Sequence, residues 1–214
     1  MTRASAQPKT TRVRGRRLTA PAPLARLSAA TLIASALLAV PTTASAATGE
    51  ETGLLASKKL GITMQAQQKS NWCWAASGNT IATWFGRTYS QNQFCNAAFN
   101  RQQGTECPNN QATLGHVQTA LRWAGINPGS YVTGWLRYPT VQSEINADRP
   151  IETRIQWSSG GGHMHVLYGF DDAKSWVYWG DPWGSNSRYN WASHDWYVNN
   201  NEFSWTHSLY RIGA

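Results

Sequence analysis

Between Ser70 and Phe85 the apolar and small positions Trp74, Gly78, Ile81 and Phe85 recur at the three-to-four spacing of one buried helical stripe, and Gly86 ends it. Ser70 and Asn71 are good N-cap residues, so Cys73 is expected in the first turn. A second helix is predicted from Ser90, with Gln93 completing a capping box, and a third from Thr113 to Trp123, closed by Gly125. A short helical turn is expected after Pro139. Beyond Arg149-Pro150 the pattern changes to β-branched and aromatic runs broken by Gly, Asp and Asn: IETRIQW (151–157), HMHVLYGF (163–170), SWVYWG (175–180) and FSWTHSLYRI (203–212). Helices first and strands second predict an α+β domain. Its N-terminal helical half, with Cys73 at a helix N-terminus, packs on a C-terminal antiparallel sheet and leaves a cleft where the halves meet.

Ahead of these elements, five arginines between Arg12 and Arg26 lead into the apolar run LSAATLIASALLAV and then PTTASAA. This is the pattern of a secretory signal peptide spanning 1–46, cleaved near Ala46. Its apolar core, Leu27 to Val40, is shorter than the roughly 18 residues of a membrane span, so a secreted chain without membrane anchor is expected. Arg16-Arg17 leaves the export route open between general and twin-arginine secretion. Residues 47–61, without periodicity or aromatics, are expected to be a flexible spacer, and 62–214 the folded domain.

The leader carries seven of the 19 Lys+Arg and none of the 11 Asp+Glu, leaving 12 positive against 11 negative residues and a net charge of +1 in place of +8. The apparent basicity therefore gives no reason to expect nucleic acid as a partner. All 12 tryptophans follow the leader, from Trp72 to Trp205, which suits an extracellular domain with large aromatic anchors. An aromatic-rich module binding glycans or cell-wall material is the alternative of a different class.

Three cysteines cannot all pair within one chain. Cys95 and Cys107 flank a polar, loop-rich segment, where a bridge closes a loop of a size usually associated with about 3 kcal/mol. They are the predicted disulfide, although spacing alone leaves pairing with Cys73 open. Unbridged, Cys73 stands where unpaired backbone N–H groups and the helix dipole favour an anion, which suits a nucleophilic thiolate. Of the five histidines, His163 and His165 follow Gly160-Gly161-Gly162 on one face of a strand, and either can serve as the base. Asp181 follows the next strand, and hairpin pairing through the turn at Asp171 to Lys174 brings it beside the histidine, where it can fix the imidazole's orientation.

QQKSNWCWAAS, GGHMHVLYGFD and WGDPWGS, in this order, resemble the motifs of papain-like cysteine peptidases, especially small bacterial exported and effector forms with a Cys-Trp-Ala nucleophile run. The resemblance covers roughly residues 62 to 212. It implies that Gln67, six positions before Cys73, completes the oxyanion hole with the Cys73 N–H. It selects His163, because Gly169 follows six positions later with Phe170 next, whereas His165 lacks this register. Asp181-Pro182-Trp183-Gly184 resembles the segment that carries the third residue. The cysteine-glycine pair before the nucleophile of plant and lysosomal members is absent. The 90 positions from Cys73 to His163 also fall short of the roughly 130 to 150 in those members, so loops are trimmed.

The resemblance thus implies a secreted monomer that hydrolyses peptide bonds with Cys73, His163 and Asp181 as triad and Gln67 in the oxyanion hole, acting on a peptide or protein substrate without cofactor. The same triad also serves transamidases and deamidases. His163, His165 and Asp181 match a three-ligand zinc site too, but that reading leaves Gln67 and the Trp72-Cys73-Trp74 context unexplained, and no metal is expected.

Overall fold

A computed structural model describes residues 56–214. The expected leader, its cleavage point and the spacer up to residue 55 lie outside them. The fold is organised on one long strand, β4 (Gly162–Asp171), whose residues His163 to Phe170 are all buried. Strands β2 (Ser130–Thr133), β3 (Ile151–Trp157), β5 (Trp176–Gly180), β6 (Tyr189–Ser193) and β7 (Phe203–Tyr210) complete an antiparallel sheet in the order β2-β7-β3-β4-β5-β6. β3 pairs with β4 only as far as Ile151 opposite Leu167. The free stretch beyond is taken by a short strand β1 (Ser57–Lys59), which pairs with Gly169 to Asp171. The end of the expected flexible spacer is thus a sheet strand, because the unpaired backbone of β4 supplies the partners it needs. Gly169 lies inside β4, where β1 comes so close that a Cβ would stand 2.7 Å from Lys58 O, and β4 continues past it to Asp171.

The helical half precedes the sheet apart from β1: α1 (Cys73–Trp84), α2 (Gln91–Ala98), α3 (Leu114–Trp123) and, after β2, α4 (Tyr138–Asn146). Within α1 every residue from Trp74 to Ala82 is buried, so this helix is packed all round rather than on one stripe. Small residues make that possible. Gly78 lets the Phe94 ring of α2 approach to where a Cβ would be only 2.7 Å away, and Ser77 Oγ donates to Met164 O of β4 at 3.2 Å. α2 carries the predicted capping box of Ser90 and Gln93, and α3 starts at the expected Thr113 cap. The helical turn expected after Pro139 is a full helix, α4, with the proline in its first turn and Val141 and Ile145 in the core. A last short helix, α5 (His194–Val198), buries Tyr197.

The N-cap of α1 is Trp72, with no side-chain cap bond, rather than Ser70 or Asn71. Those two residues are held by Asn109 instead. Asn109 Nδ2 donates to Ser70 Oγ at 2.8 Å, Asn71 N donates to Asn109 Oδ1 at 2.9 Å, and Asn71 Nδ2 donates to Asn109 O at 2.8 Å. The disulfide between Cys95 and Cys107 anchors the segment that carries Asn109. Backbone carbonyls of this segment accept both indole N–H groups that flank Cys73: Trp72 Nε1 to Pro108 O at 3.1 Å and Trp74 Nε1 to Asn110 O at 3.0 Å. The start of α1 is thereby fixed from outside the helix.

An alanine in place of glycine ordinarily strengthens a helix by up to about 1 kcal/mol. At Gly78 the steric term wins, since the added methyl meets the fully buried Phe94 ring at 2.7 Å and Val117 at 3.0 Å. Gly78→Ala is expected to destabilise the fold by about 1–3 kcal/mol in urea unfolding. Gly115→Ala in α3, whose nearest atom is Thr113 Oγ1 at 3.4 Å, serves as the control in which the helix term acts unopposed, and its midpoint should equal or exceed the parent's. A midpoint for Gly78→Ala at or above the parent's would show that Phe94 moves aside.

Candidate active site

Helices and sheet meet at a cleft of about 330 Å³, with Asn71, Cys73 and Gln111 on the helical side and Arg154, Trp157 and His163 on the sheet side. Cys73 is the first residue of α1 and is partly exposed, so its sulfur stands beside N–H groups that have no partner within the helix. It is the one free cysteine among the described residues.

His163 lies at the start of β4, and Asp181 directly follows β5. The antiparallel pairing of these strands, from Asp171 opposite Trp176 to Val166 opposite Gly180, delivers Asp181 next to the histidine. His163 Nε2 and Asp181 Oδ1 are 2.7 Å apart, with both side chains almost wholly buried. The expected pairing of His163 with Asp181 is therefore present, and it leaves the other ring nitrogen for Cys73. Asp181 is held further by the Trp183 backbone N–H on Oδ1 and by Asn186 Nδ2 on Oδ2, each at 2.8 Å. Trp157 stacks on the His163 ring, with centroids 5.9 Å apart and planes at 24°, and Trp183 meets it edge-on.

Burial alone would depress the His163 pKa, but hydrogen bonds to Asp181 and Cys73, with their charges, overcome it and raise the value to about 9. Burial likewise opposes ionisation of Asp181, yet the hydrogen bond from His163, with the nearby His165 ring adding to it, holds its carboxyl far below the usual range. His165 behaves oppositely, because burial, aided by the positive charge of His163, pushes its pKa down to about 4 and keeps it neutral. The two histidines of one strand thus take different protonation states.

Gln67 does not line the cleft around Cys73. Both hydrogens of its Nε2 go to carbonyls of its own loop, Lys69 O at 2.9 Å and Ser70 O at 2.8 Å, and its buried Oε1 has no partner. Its backbone N–H donates to Pro182 O at 2.8 Å, which ties the approach to α1 to the residue after Asp181. As folded, Gln67 clamps this loop and offers no N–H to the cleft.

Three residues important to the site have no motif in the sequence. Trp157 becomes visible only through the register that places it on His163, and Asn186 only through the turn that folds it back onto Asp181. Glu152 of β3 is fully buried without a partner for either oxygen, and burial, with the charge of Cys73, raises its pKa well above the usual value. Its burial thus disfavours a second negative charge near the thiol.

A cysteine heading a buried central helix, opposed across a cleft by a histidine that a carboxylate orients from an antiparallel sheet, defines the papain-like cysteine protease class. The family model described as papain-like cysteine protease AvrRpt2 matches residues 56–202, and the chain belongs to that family. No curated protein matches the chain.

His163 is charged in the fold well above the 6.5 of a free imidazole, so its contribution to stability is full below about 6.5 and is lost as pH rises through about 9. Asp181, shifted the other way, contributes above its ordinary 3.8 and loses that contribution as pH falls. Asp181→Asn removes the charge and should bring the His163 pKa down from about 9, read by NMR titration of the ring protons. An unchanged titration would exclude the carboxylate as the cause.

Proposed function

We propose that the chain is an exported cysteine peptidase in which Cys73 attacks a peptide carbonyl, His163 moves the proton and Asp181 orients His163. The observation that carries this reading is the buried His163–Asp181 contact of 2.7 Å, set against a partly exposed cysteine at the start of a helix. The thiolate adds to the carbonyl carbon, and the imidazolium then protonates the departing amine, leaving a thioester on Cys73. Water, deprotonated by the neutral imidazole, attacks the thioester and releases the acid, and the thiolate–imidazolium pair is restored. The oxyanion is received by the Cys73 backbone N–H and by Gln67, whose amide turns from Lys69 O or Ser70 O to free one N–H. Among the described residues no helix is long and apolar enough to cross a membrane, and the reading of 1–46 as a removed leader makes the peptidase a secreted one.

Iodoacetamide at about pH 5, where an ordinary thiol is almost fully protonated, should label Cys73 far faster than a model thiol. Cys73→Ala should abolish peptide hydrolysis, and His163→Ala should lower kcat by about 10²–10⁴. Labelling no faster than the model thiol, together with an active Cys73→Ala chain, would overturn the assignment. N-terminal sequencing of protein collected from the medium should begin near Ala47, and retention of the leader would refute the export reading.

A further inference from the structure

Behind the His163–Asp181 pair lies a second cavity of about 430 Å³ that reaches His165 and Asp181 but not Cys73. His165 is 2% exposed and only half satisfied. Its Nδ1 lies 3.1 Å from Tyr197 Oη, which is itself 2.7 Å from Thr153 Oγ1. Its Nε2 has no hydrogen-bond partner and faces Asp181 Oδ2 at 3.7 Å, beyond hydrogen-bonding length. A buried ring nitrogen aimed at a buried carboxylate, too far for a shared proton, leaves a gap that a cation would fill.

His163, His165 and Asp181 each offer a ligand atom, and these atoms lie within 4.8 Å of one another. We propose that this cluster, with His165 and Asp181 at the cavity wall and His163 beside them, holds a divalent transition-metal ion of the zinc type, bound by His165 Nε2, an Asp181 carboxylate oxygen and His163 Nε2, and that the bound ion silences the thiol centre. Two imidazoles and a carboxylate are donors that zinc accepts readily, and a fourth position would face the cavity for water. Tyr197 fixes the far nitrogen of His165, as an outer partner commonly does for a metal-bound imidazole. Zinc bonds of about 2.0–2.1 Å place tetrahedral ligands roughly 3.3 Å apart, so ligand atoms up to 4.8 Å apart must close by at most roughly 1.5 Å, while the 2.7 Å contact of His163 with Asp181 opens to admit the ion.

Binding replaces the proton that His163 Nε2 shares with Asp181, and that proton goes to solvent. With its Nε2 bonded to the ion and its ring drawn away from Cys73, His163 no longer carries a proton between thiol and substrate. The silencing rests on the peptidase reading, whereas the metal site does not.

The test is therefore made first on the full-length Cys73→Ala chain, which cannot turn over and lacks the thiolate as a rival ligand. Zinc titrated against a chromogenic chelator should bind at one ion per chain, and cobalt in its place should give the visible absorption of a low-coordinate site. His165→Asn in that background should weaken zinc binding at least tenfold, with circular dichroism reporting the fold. Should that variant not fold, Asp181→Asn and the NMR shift of His165 Nε2 in the Cys73→Ala chain carry the same decision. No bound ion, or binding indifferent to these changes, overturns the site. In the unaltered chain zinc should inhibit hydrolysis reversibly, with chelator restoring it, and His165→Asn should resist. Binding without inhibition overturns the silencing alone, and inhibition that His165→Asn leaves intact assigns it to the Cys73 cleft instead.

Discussion

An imidazolium and a carboxylate can share a dry interior only when their remaining donors and acceptors are also satisfied, because the desolvation of both charges otherwise outweighs their attraction. Much of the sheet half answers to this constraint. The β4–β5 register sets His163 against Asp181, and the turn after β5 supplies the Trp183 N–H and the Asn186 amide to the same carboxylate. Trp157 and Trp183 cover the histidine and exclude water, which strengthens the pair electrostatically. His165, left neutral beside them, keeps a second positive charge out of the cluster.

The helical half solves a different problem, which is to hold a reactive sulfur at a helix start that has no side-chain cap of its own. The segment after Cys107 does this through carbonyls on the Trp72 and Trp74 indoles and through the Asn109 side chain on Ser70 and Asn71. Lys69 Nζ adds a bond to Cys107 O at 2.7 Å. The two halves are then registered by a few polar contacts, Ser77 to Met164 O and Gln67 N to Pro182 O.

Elements with strong periodicity or clear boundaries were legible in the sequence. β3 matches its predicted run residue for residue, and β4, β5 and β7 lie where β-branched and aromatic runs are densest. β2 and β6 escaped because they are short edge strands of four and five residues, and β1 because nothing in SKK predicts a strand without the open side of β4. The N-cap of α1 was misplaced because Ser70 and Asn71 find a tertiary partner in Asn109, which outcompetes the local one. The cysteine, histidine and aspartate could be read from local context, whereas Trp157 and Glu152 depend on which strands become neighbours and Asn186 on the conformation of the turn after β5. The Gln67 spacing was legible, but the direction of its amide was not, since that is set by two nearby carbonyls.

Helix α1 has one more consequence. From Trp74 to Ala82 it presents no solvent-facing side, with sheet, α2 and α3 closing on it and Gly78 filled against Phe94. Almost no position following the nucleophile can change size without disturbing a neighbour, so neutral drift is nearly closed to this segment. The chain's freedom to diversify lies instead in its loops, and its recognition of substrates can evolve there while the helix bearing the sulfur stays the same.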